Sequence, residues 1–173
     1  MRIGIGYDSH RFATGRRLVL GGLEVPHPLG LAGHSDADAV AHAVTDALLG
    51  AAALGDVGTH FPPSDARWHD ADSLELLRRA AGLLLAEGYT VANVDVTIVC
   101  EAPRLGPHVP AMRERLAAAL GVSAGAVSVK AKTNEGMGWI GRGEGLAAMA
   151  VALVERAAAA GAPGPTGTTG AAG

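Results

Sequence analysis

The sequence has little of three things that would narrow its class: cysteine, aromatic residues and an excess of charge of one sign. Its single cysteine, Cys100, excludes an intramolecular disulfide and is compatible with a reducing compartment. Aromatic residues account for only 3% of the 173 residues, so we expect an aliphatic core. Because the net charge is −3 and no Lys/Arg cluster is present, the charge pattern indicates no nucleic-acid partner.

Long uninterrupted apolar segments are also missing. Polar and glycine residues interrupt residues 1–8 too early for the apolar region of a signal peptide. The longest apolar stretches are rich in alanine and contain charges, so none resembles a membrane span. We therefore expect a soluble, cytoplasmic protein with no membrane partner.

The length suits a single domain, which we place at residues 1–160, followed by a disordered Gly/Pro/Thr/Ala-rich tail at residues 161–173. Alternating apolar residues predict strands at 3–7, 18–20, 94–100 and 127–131. Helical patterns lie at 36–53, 73–87, 110–120 and 146–160, the last of them rich in alanine. The alternation of strands and helices predicts a layered α/β (α+β) fold: a four-stranded mixed sheet with helices packed on one face and surfaces suited to an oligomer.

One candidate metal site combines the first strand with the first helix. Asp8 and His10 are two residues apart, so in an extended segment both side chains point the same way. Asp38, His42 and Asp46 form one polar stripe of the helix. If the helix starts near the end of strand one, Asp8, His10 and His42 can bind one ion together. Three protein ligands leave the fourth coordination position of the ion open, which suits a catalytic zinc. The alternatives are a solvated loop end and an ordinary amphipathic helix.

A candidate phosphate site follows the last predicted strand. Lys132 and Thr133 precede a glycine-rich loop, residues 136–145, that leads to a helix N-terminus, an arrangement suited to anions. Arg142 adds a donor, and Glu135 could hold a second cation against a phosphate. The alternative is a flexible turn. Zinc and phosphate sites together favour phosphoryl-transfer or metal-hydrolase chemistry.

Six ordered segments closely resemble the 2-C-methyl-D-erythritol 2,4-cyclodiphosphate synthase (MECDP synthase) family. They are residues 4–10, 32–38, 45–51, 55–58, 130–135 and 141–145. The resemblance extends from Met1 to about Glu155 and implies a catalytic domain that forms a homotrimer around its sheets, with active sites at subunit interfaces. It implies a phosphorus-oxygen lyase of the non-mevalonate isoprenoid pathway. Its substrate would be 4-diphosphocytidyl-2-C-methyl-D-erythritol 2-phosphate, whose own 2-phosphate displaces CMP.

The resemblance also implies metal and catalytic roles. The implied zinc ligands are Asp8, His10 and His42. Glu135 would help hold a magnesium or manganese ion that bridges the substrate phosphates. His34 and Thr133 would stabilise the transition state. Because the nucleophile comes from the substrate, no Ser or Cys nucleophile is expected.

The remaining implied residues bind substrate. Those expected around the methylerythritol group are Ser35, Asp56, Val57, Gly58, Phe61 and Asp65. Those expected around the cytidine are Cys100, Glu101, Ala102, Pro103, Arg104, Leu105, Gly106, Ala131, Lys132 and Asn134. Trp139 and Arg142 match positions near the substrate phosphates, and Arg142 and Glu144 match a trimer axis where some members hold an isoprenoid diphosphate.

The sequence departs from the family at Pro63, where an acidic residue is frequent, and at Trp139, where Phe is common. We expect these changes to alter substrate affinity rather than the chemistry. Two other functions stay open at this point. One is a zinc-dependent phosphoesterase that uses water as the nucleophile, with Asp38 or Asp46 as the base. The other is a non-catalytic trimer that binds isoprenoid diphosphate through Arg142 and Glu144.

Overall fold

The computed structural model describes residues 1–157, so the predicted tail at 161–173 lies outside the described residues. The strands are β1 (Arg2–Ala13), β2 (Leu18–Leu20), β3 (Leu23–Val25), β4 (Gly30–Leu31), β5 (Tyr89–Val99), β6 (Val127–Lys132) and β7 (Gly145–Arg156). The α-helices are α1 (Ala39–Ala52), α2 (Val57–His60), α3 (Ser73–Ala86), α4 (Val109–Leu120) and α5 (Gly138–Gly141). Short 3₁₀ turns lie at Ala66–Trp68, Gly106–His108 and Ala124–Ala126.

The main sheet has five strands in the order β4-β1-β7-β5-β6. Strands β1 and β5 both run antiparallel to β7, whereas β5 and β6 are parallel. Strands β2 and β3 form a separate two-stranded sheet. The predicted mixed α/β fold is therefore confirmed, but the prediction of four strands is wrong, because the main sheet has five.

The main error of the sequence pattern concerns β7, which occupies the segment predicted to be the last, Ala-rich helix. Alanine is the best helix former, but β7 lies between β1 and β5 and pairs with both along most of its length. From Ala148 to Val154 its residues alternate between a buried and a more exposed row. Pairing along both edges outweighs the intrinsic helix preference of alanine.

Helix α1 begins three residues after the predicted start, and Asp38 is its N-cap. The Asp38 side chain accepts hydrogen bonds from the backbone of Val40 and Ala41 inside the helix and of Gly21 and Gly22 before β3. Asp38 is fully buried, so the alternative of an ordinary amphipathic helix with a solvated polar face does not hold at this residue. The carboxylate instead joins the start of α1 to the β2–β3 turn.

Helices α1, α3 and α4 pack against the sheet, and α1 lies directly on β1 and β7. A Cβ atom on Gly4 of β1 would lie only 2.0 Å from the carbonyl oxygen of Ala47 in α1. Glycine is therefore required for this close approach, because any side chain would push the helix away. The approach brings the first turn of α1 next to the even-numbered residues of β1.

The odd-numbered residues of β1 lie on the other face of the sheet. Ile3, Ile5 and Tyr7 are exposed there, beside Met149 and Val151 of β7, with which Tyr7 and Ile5 are paired. In the single chain this face is a contiguous apolar surface, and exposed apolar patches of this kind mark interaction sites. None of the helices in residues 1–157 has the length and apolarity needed to cross a membrane.

Candidate active site

Asp8, His10 and His42 converge at one point between β1 and α1. Oδ2 of Asp8 lies 2.9 Å from Nε2 of His10 and 2.9 Å from Nδ1 of His42. Asp8 and His10 reach this point because they are two residues apart on a strand, and His42 because it lies in the first turn of α1. Their ligand atoms all lie within 4.8 Å of one another, so the predicted juxtaposition of these three side chains is present.

The ring of His10 presents a free lone pair to this point. Its Nδ1 lies 2.6 Å from the carbonyl oxygen of Ala32, and because a carbonyl only accepts, Nδ1 carries the proton. Its Nε2 is buried and makes no hydrogen bond, although it lies 2.9 Å from Asp8. A buried ring nitrogen without a donor is the kind of atom that a cation satisfies.

The carboxylate and the His42 imidazole form a charged pair in the metal-free protein. Burial alone would raise the pKa of Asp8, but its close contacts with His10 and His42 lower that pKa well below its usual value. Burial alone would lower the pKa of His42, but the hydrogen bond and charge of Asp8 raise it. A metal ion that binds His42 through Nδ1 must therefore displace a proton.

This donor set fits a divalent transition metal. One carboxylate and two imidazoles leave a fourth position open, which is typical of catalytic rather than structural zinc. Within residues 1–157, Asp8, His10 and His42 are the one group of three or more His, Cys, Asp or Glu side chains that could hold a metal ion. The structure therefore supports a divalent-metal site at the predicted ligands.

A cavity of about 250 Å³ opens beside the metal site. Of the predicted residues, it is lined by His34, Ser35, Val57, Gly58 and Phe61 together with the triad. Gly33, Pro63, Trp68 and Leu76 complete its wall. Of these, the sequence drew attention to Gly33, in a family-like segment, and to Pro63. Trp68 and Leu76 were missed, because nothing in their spacing distinguishes them from ordinary core residues.

Two predicted substrate residues turn their carboxylates elsewhere. Asp56 accepts hydrogen bonds from the backbone and hydroxyl of Thr59 and so caps α2. Asp65 forms an ion pair with Arg67, with Oδ2 and Nη2 2.6 Å apart. Neither side chain lines the cavity.

Nine further predicted residues line a second cavity, of about 440 Å³, between the end of β5 and the end of β6. Its predicted lining residues are Cys100, Glu101, Pro103, Arg104, Leu105, Gly106, Ala131, Lys132 and Thr133. Oε1 of Glu101 accepts hydrogen bonds from the backbone of Asn134 and Gly136, 2.8 and 3.2 Å away, and so holds the loop after β6. Thr133 donates its hydroxyl to Glu135 at 2.7 Å. Ala102 lies in the same segment but outside the lining.

The two cavities have no lining residue in common. Asp8 pairs with Ala148, Ala148 with Ile98 and Ile98 with Ala131, so one row of the sheet joins both sites. Three strand spacings separate Asp8 from Ala131, which is about 14 Å. One chain therefore does not bring the metal triad and the Lys132–Glu135 loop into a single site.

Trp139 and Arg142 line neither cavity. Both side chains are exposed, and Nε of Arg142 pairs with Oε1 of Glu144 at 2.6 Å. Their contact with substrate phosphates therefore stays a prediction.

The candidate bases of a hydrolase are engaged in structural contacts. Asp38 is buried and accepts four backbone hydrogen bonds. Asp46 accepts a hydrogen bond from the backbone of Val57 at 2.7 Å. Asp38 in particular has no free access to a water molecule.

These features define a class: mixed α/β proteins with a divalent-metal site beside a ligand-sized cavity. A family model described as the YgbB family matches residues 1–155. The chain therefore belongs to the YgbB family. A curated relative from Symbiobacterium thermophilum, named 2-C-methyl-D-erythritol 2,4-cyclodiphosphate synthase, is 62% identical over 89% of this chain and 98% of its own length. A relative of the same name from Moorella thermoacetica is 58% identical over 93% of this chain and 99% of its own length.

Solved structures agree with this assignment. A CDP-bound form of 2C-methyl-D-erythritol-2,4-cyclodiphosphate synthase matches with a TM-score of 0.82 and 40% identity, over 89% of this chain and 100% of that one. The bifunctional IspDF of Campylobacter jejuni matches with a TM-score of 0.87 and 37% identity, over 90% of this chain and 42% of that one. The likeness thus covers the whole catalytic unit of one solved synthase and part of a larger protein.

Proposed function

We propose that this protein converts 4-diphosphocytidyl-2-C-methyl-D-erythritol 2-phosphate to 2-C-methyl-D-erythritol 2,4-cyclodiphosphate and releases CMP, in the non-mevalonate isoprenoid pathway. The observation that carries the proposal is the 62% identity to a named synthase over nearly its full length. The Asp8, His10 and His42 group beside a cavity supports it independently, because a metal ion there would supply the concentrated positive charge that the reaction needs at a diphosphate.

The reaction requires no nucleophile from the protein. An oxygen of the substrate's 2-phosphate forms a bond to the β-phosphorus, and the bond from that phosphorus to the bridging oxygen breaks, so CMP leaves with the oxygen. Cys100 is not equipped for such a role, because burial raises the pKa of its thiol to about 11. The task of the chain is to position the two phosphates and to stabilise their charge.

Each cation would be held by residues already described. Asp8, His10 and His42 would hold zinc, and Glu135 would help hold magnesium or manganese. When bound, these cations would neutralise charge on the diphosphate oxygens. His34 in the metal cavity and Thr133 in the second cavity would donate hydrogen bonds to the reacting phosphates.

The second cavity is the proposed cytidine site. Its volume of about 440 Å³ is in the range typical of small-molecule pockets. The lining segment Cys100–Gly106 offers backbone groups on a loop held by Glu101. The CDP found with a solved relative supports a nucleotide ligand for this fold.

A homotrimer would join the two cavities. Because the cavities share no lining residue and Asp8 and Ala131 lie about 14 Å apart across the sheet, we expect that adjoining substrate atoms cannot contact both sites within one chain. The exposed apolar face formed by Ile3, Ile5, Tyr7, Met149 and Val151 is the surface on which copies would pack. The metal cavity of one copy would then lie beside the cytidine cavity of the next.

Two further assignments extend this proposal. Arg142 and Glu144 would lie at the trimer axis and could hold an isoprenoid diphosphate there. Trp139 would contact the substrate phosphates across the same interface. The predicted cytoplasmic location and the division into residues 1–160 and a tail stay predictions.

The phosphoesterase alternative is not supported. The curated relatives reported above are named as cyclodiphosphate synthases. Asp38, one of the two bases considered for it, is buried under four backbone hydrogen bonds.

Phosphorus NMR of the purified protein with the cytidylyl substrate, zinc and magnesium tests the proposal. We expect CMP and a cyclic diphosphate to appear together, and both to stop forming when a chelator is added. CMP with a linear phosphate product would indicate hydrolysis and contradict the proposal. Binding without turnover in a trimeric sample would instead favour the non-catalytic binding module.

A further inference from the structure

Ser73, the first residue of α3, contacts the ring nitrogen of His42 that faces away from Asp8. Its hydroxyl oxygen lies 2.9 Å from Nε2 of His42. Ser73 is fully buried, 31 residues from His42 in the chain, and no catalytic or binding role in the proposed function involves it. A second hydroxyl, that of Ser35, lies farther from Nε2, at 3.2 Å.

Behind Ser73 lies the carboxylate of Asp36. The Ser73 hydroxyl donates to Oδ1 of Asp36 in a short hydrogen bond, and the Ser73 backbone N–H donates to Oδ2 at 3.0 Å. Asp36 also accepts from the backbone of Asp38 at 3.2 Å, so both of its oxygens are engaged. Asp36, Ser73 and His42 therefore form a continuous hydrogen-bonded series from carboxylate to hydroxyl to imidazole.

Hydrogen positions along this series follow from what each group can donate. A serine hydroxyl has one hydrogen. The Ser73 hydroxyl donates it in a hydrogen bond to Asp36, because an ionised carboxylate can only accept. Toward His42 the Ser73 oxygen can therefore only accept, so Nε2 of His42 must carry a proton. Once a metal ion displaces the proton that Nδ1 shares with Asp8, the lone pair is therefore on Nδ1, the nitrogen that faces Asp8.

We propose that Ser73 and Asp36 are positioning residues of the metal site, which fix the ring of His42 and its Nε2–H tautomer so that Nδ1 is available as a ligand. His10 is fixed in the same sense by the Ala32 carbonyl, so both imidazoles have a second partner. Mutation of such hydrogen-bond partners of metal-binding histidines commonly weakens metal affinity by about 10–100-fold. The inference rests on the metal site of the proposed function.

Metal affinity of the purified protein tests the inference without reference to turnover. Zinc and cobalt(II) dissociation constants are measured by competition with a chromophoric chelator. We expect Ser73→Ala to weaken both by about 10–100-fold. The matched control is Thr45→Val, which removes a buried hydroxyl from α1 that bonds only the Ala41 carbonyl at 2.8 Å and should leave both constants unchanged.

Asp36→Asn is a second, sharper variant. The amide oxygen of the substituted side chain can still accept the hydrogen bond from the backbone N–H of Ser73. Its NH₂ group then faces the Ser73 hydroxyl and donates a hydrogen bond to it. The Ser73 hydrogen is then free for Nε2 of His42, which favours the wrong tautomer. We expect a loss of affinity at least as large as that of Ser73→Ala, together with a changed cobalt(II) absorption spectrum.

Nitrogen-15 NMR of the zinc-loaded parent adds a measurement that needs no variant, and we expect His42 to be protonated at Nε2. Thermal unfolding identifies any variant that fails to fold. In that case the other variant and the NMR measurement test the inference. If the parent binds zinc but both variants bind it equally well, the inference is overturned and the metal site stands. If the parent binds no zinc or cobalt, the metal site and this inference both fail.

Discussion

Gly6 of β1 lies so close to Ala43 of α1 that a Cβ atom on it would be 1.9 Å from the Ala43 carbonyl oxygen. Real Cβ atoms do not approach backbone atoms so closely, and the obstructing atoms are backbone, so a side chain could be accommodated only by moving the helix. His42 precedes Ala43, and Asp8 lies two residues after Gly6. The spacing between strand and helix therefore sets the distance between the two ligands.

Gly6→Ala should destabilise the fold and weaken the metal site together. Overpacking of this kind costs about 1–3 kcal/mol or more, and displacement of α1 would carry His42 away from Asp8. Chemical denaturation and zinc titration measure the two effects. The control is Gly82→Ala in α3, where nothing lies within 4 Å of the added Cβ. This control should stabilise the protein by about 0.5–1 kcal/mol, because alanine is the better helix former.

His42→Ala should abolish metal binding while the protein stays folded. Two ligands on β1 remain, but a carboxylate and one imidazole are too few for a stable zinc site. We expect zinc content to fall from about one ion per chain to none and turnover to fall by about three orders of magnitude. His69→Ala, in an exposed loop, is the control and should leave both unchanged. An active, metal-free His42→Ala protein would sink the assignment of this residue.

The metal-free protein should show a pH dependence of stability that comes from Asp8 and His42. The pKa of Asp8 is lowered from 3.8, so its contribution is present above that value and is lost as pH falls through the lower folded pKa. The pKa of His42 is raised from 6.5, so its contribution is present below that value and is lost as pH rises through the higher folded pKa. The pair therefore stabilises the fold most between about pH 4 and 6.5.

Asp8→Asn isolates this contribution. The difference in unfolding free energy between parent and variant should be largest in that window and should shrink as pH rises above the folded pKa of His42. Denaturant unfolding in the presence of a chelator, repeated across pH, measures the difference. A difference that grows toward alkaline pH would show that the charged pair is not its source.

The metal ligands could be predicted from the sequence because their residue types and their places on the predicted strand and helix are distinctive, although Asp8 and His42 are 34 residues apart in the chain. Asp8 and His10 are two residues apart on a strand, and His42 is one turn into a helix that begins at an Asp cap. The Ser73 contact could not be predicted, because a serine at the start of a helix is not distinctive and only the packing of α3 on the start of α1 brings this hydroxyl to His42. The pattern of the sequence showed only that Ser73 starts a helix.

Strand β7 was predicted wrongly because its local sequence favours a different structure. Its alanines favour a helix locally, and only the pairing of both edges with β1 and β5 makes it a strand. Those partners are distant in the chain, so no local window contains the deciding interactions. The five-stranded sheet, and with it the separation of the two cavities, follows from this non-local pairing.

The exposed face of that sheet gives the last prediction. Ile5 is 72% exposed in the single chain, lies at its centre and is paired with Val151. Ile5→Lys should leave the chain folded and able to bind zinc, because the side chain points away from Asp8. It should prevent association, because three lysines would otherwise be buried together at the interface.

Sedimentation equilibrium should then show a trimer for the parent and a monomer for Ile5→Lys. Turnover of the monomer should fall by about 100-fold or more, because the Thr133 donor of the neighbouring copy is no longer beside the metal cavity. Leu85→Lys is the matched control: Leu85 is 59% exposed on α3, away from this face, so this variant should stay trimeric and active. A monomeric Ile5→Lys protein with full activity would show that one chain contains the complete site.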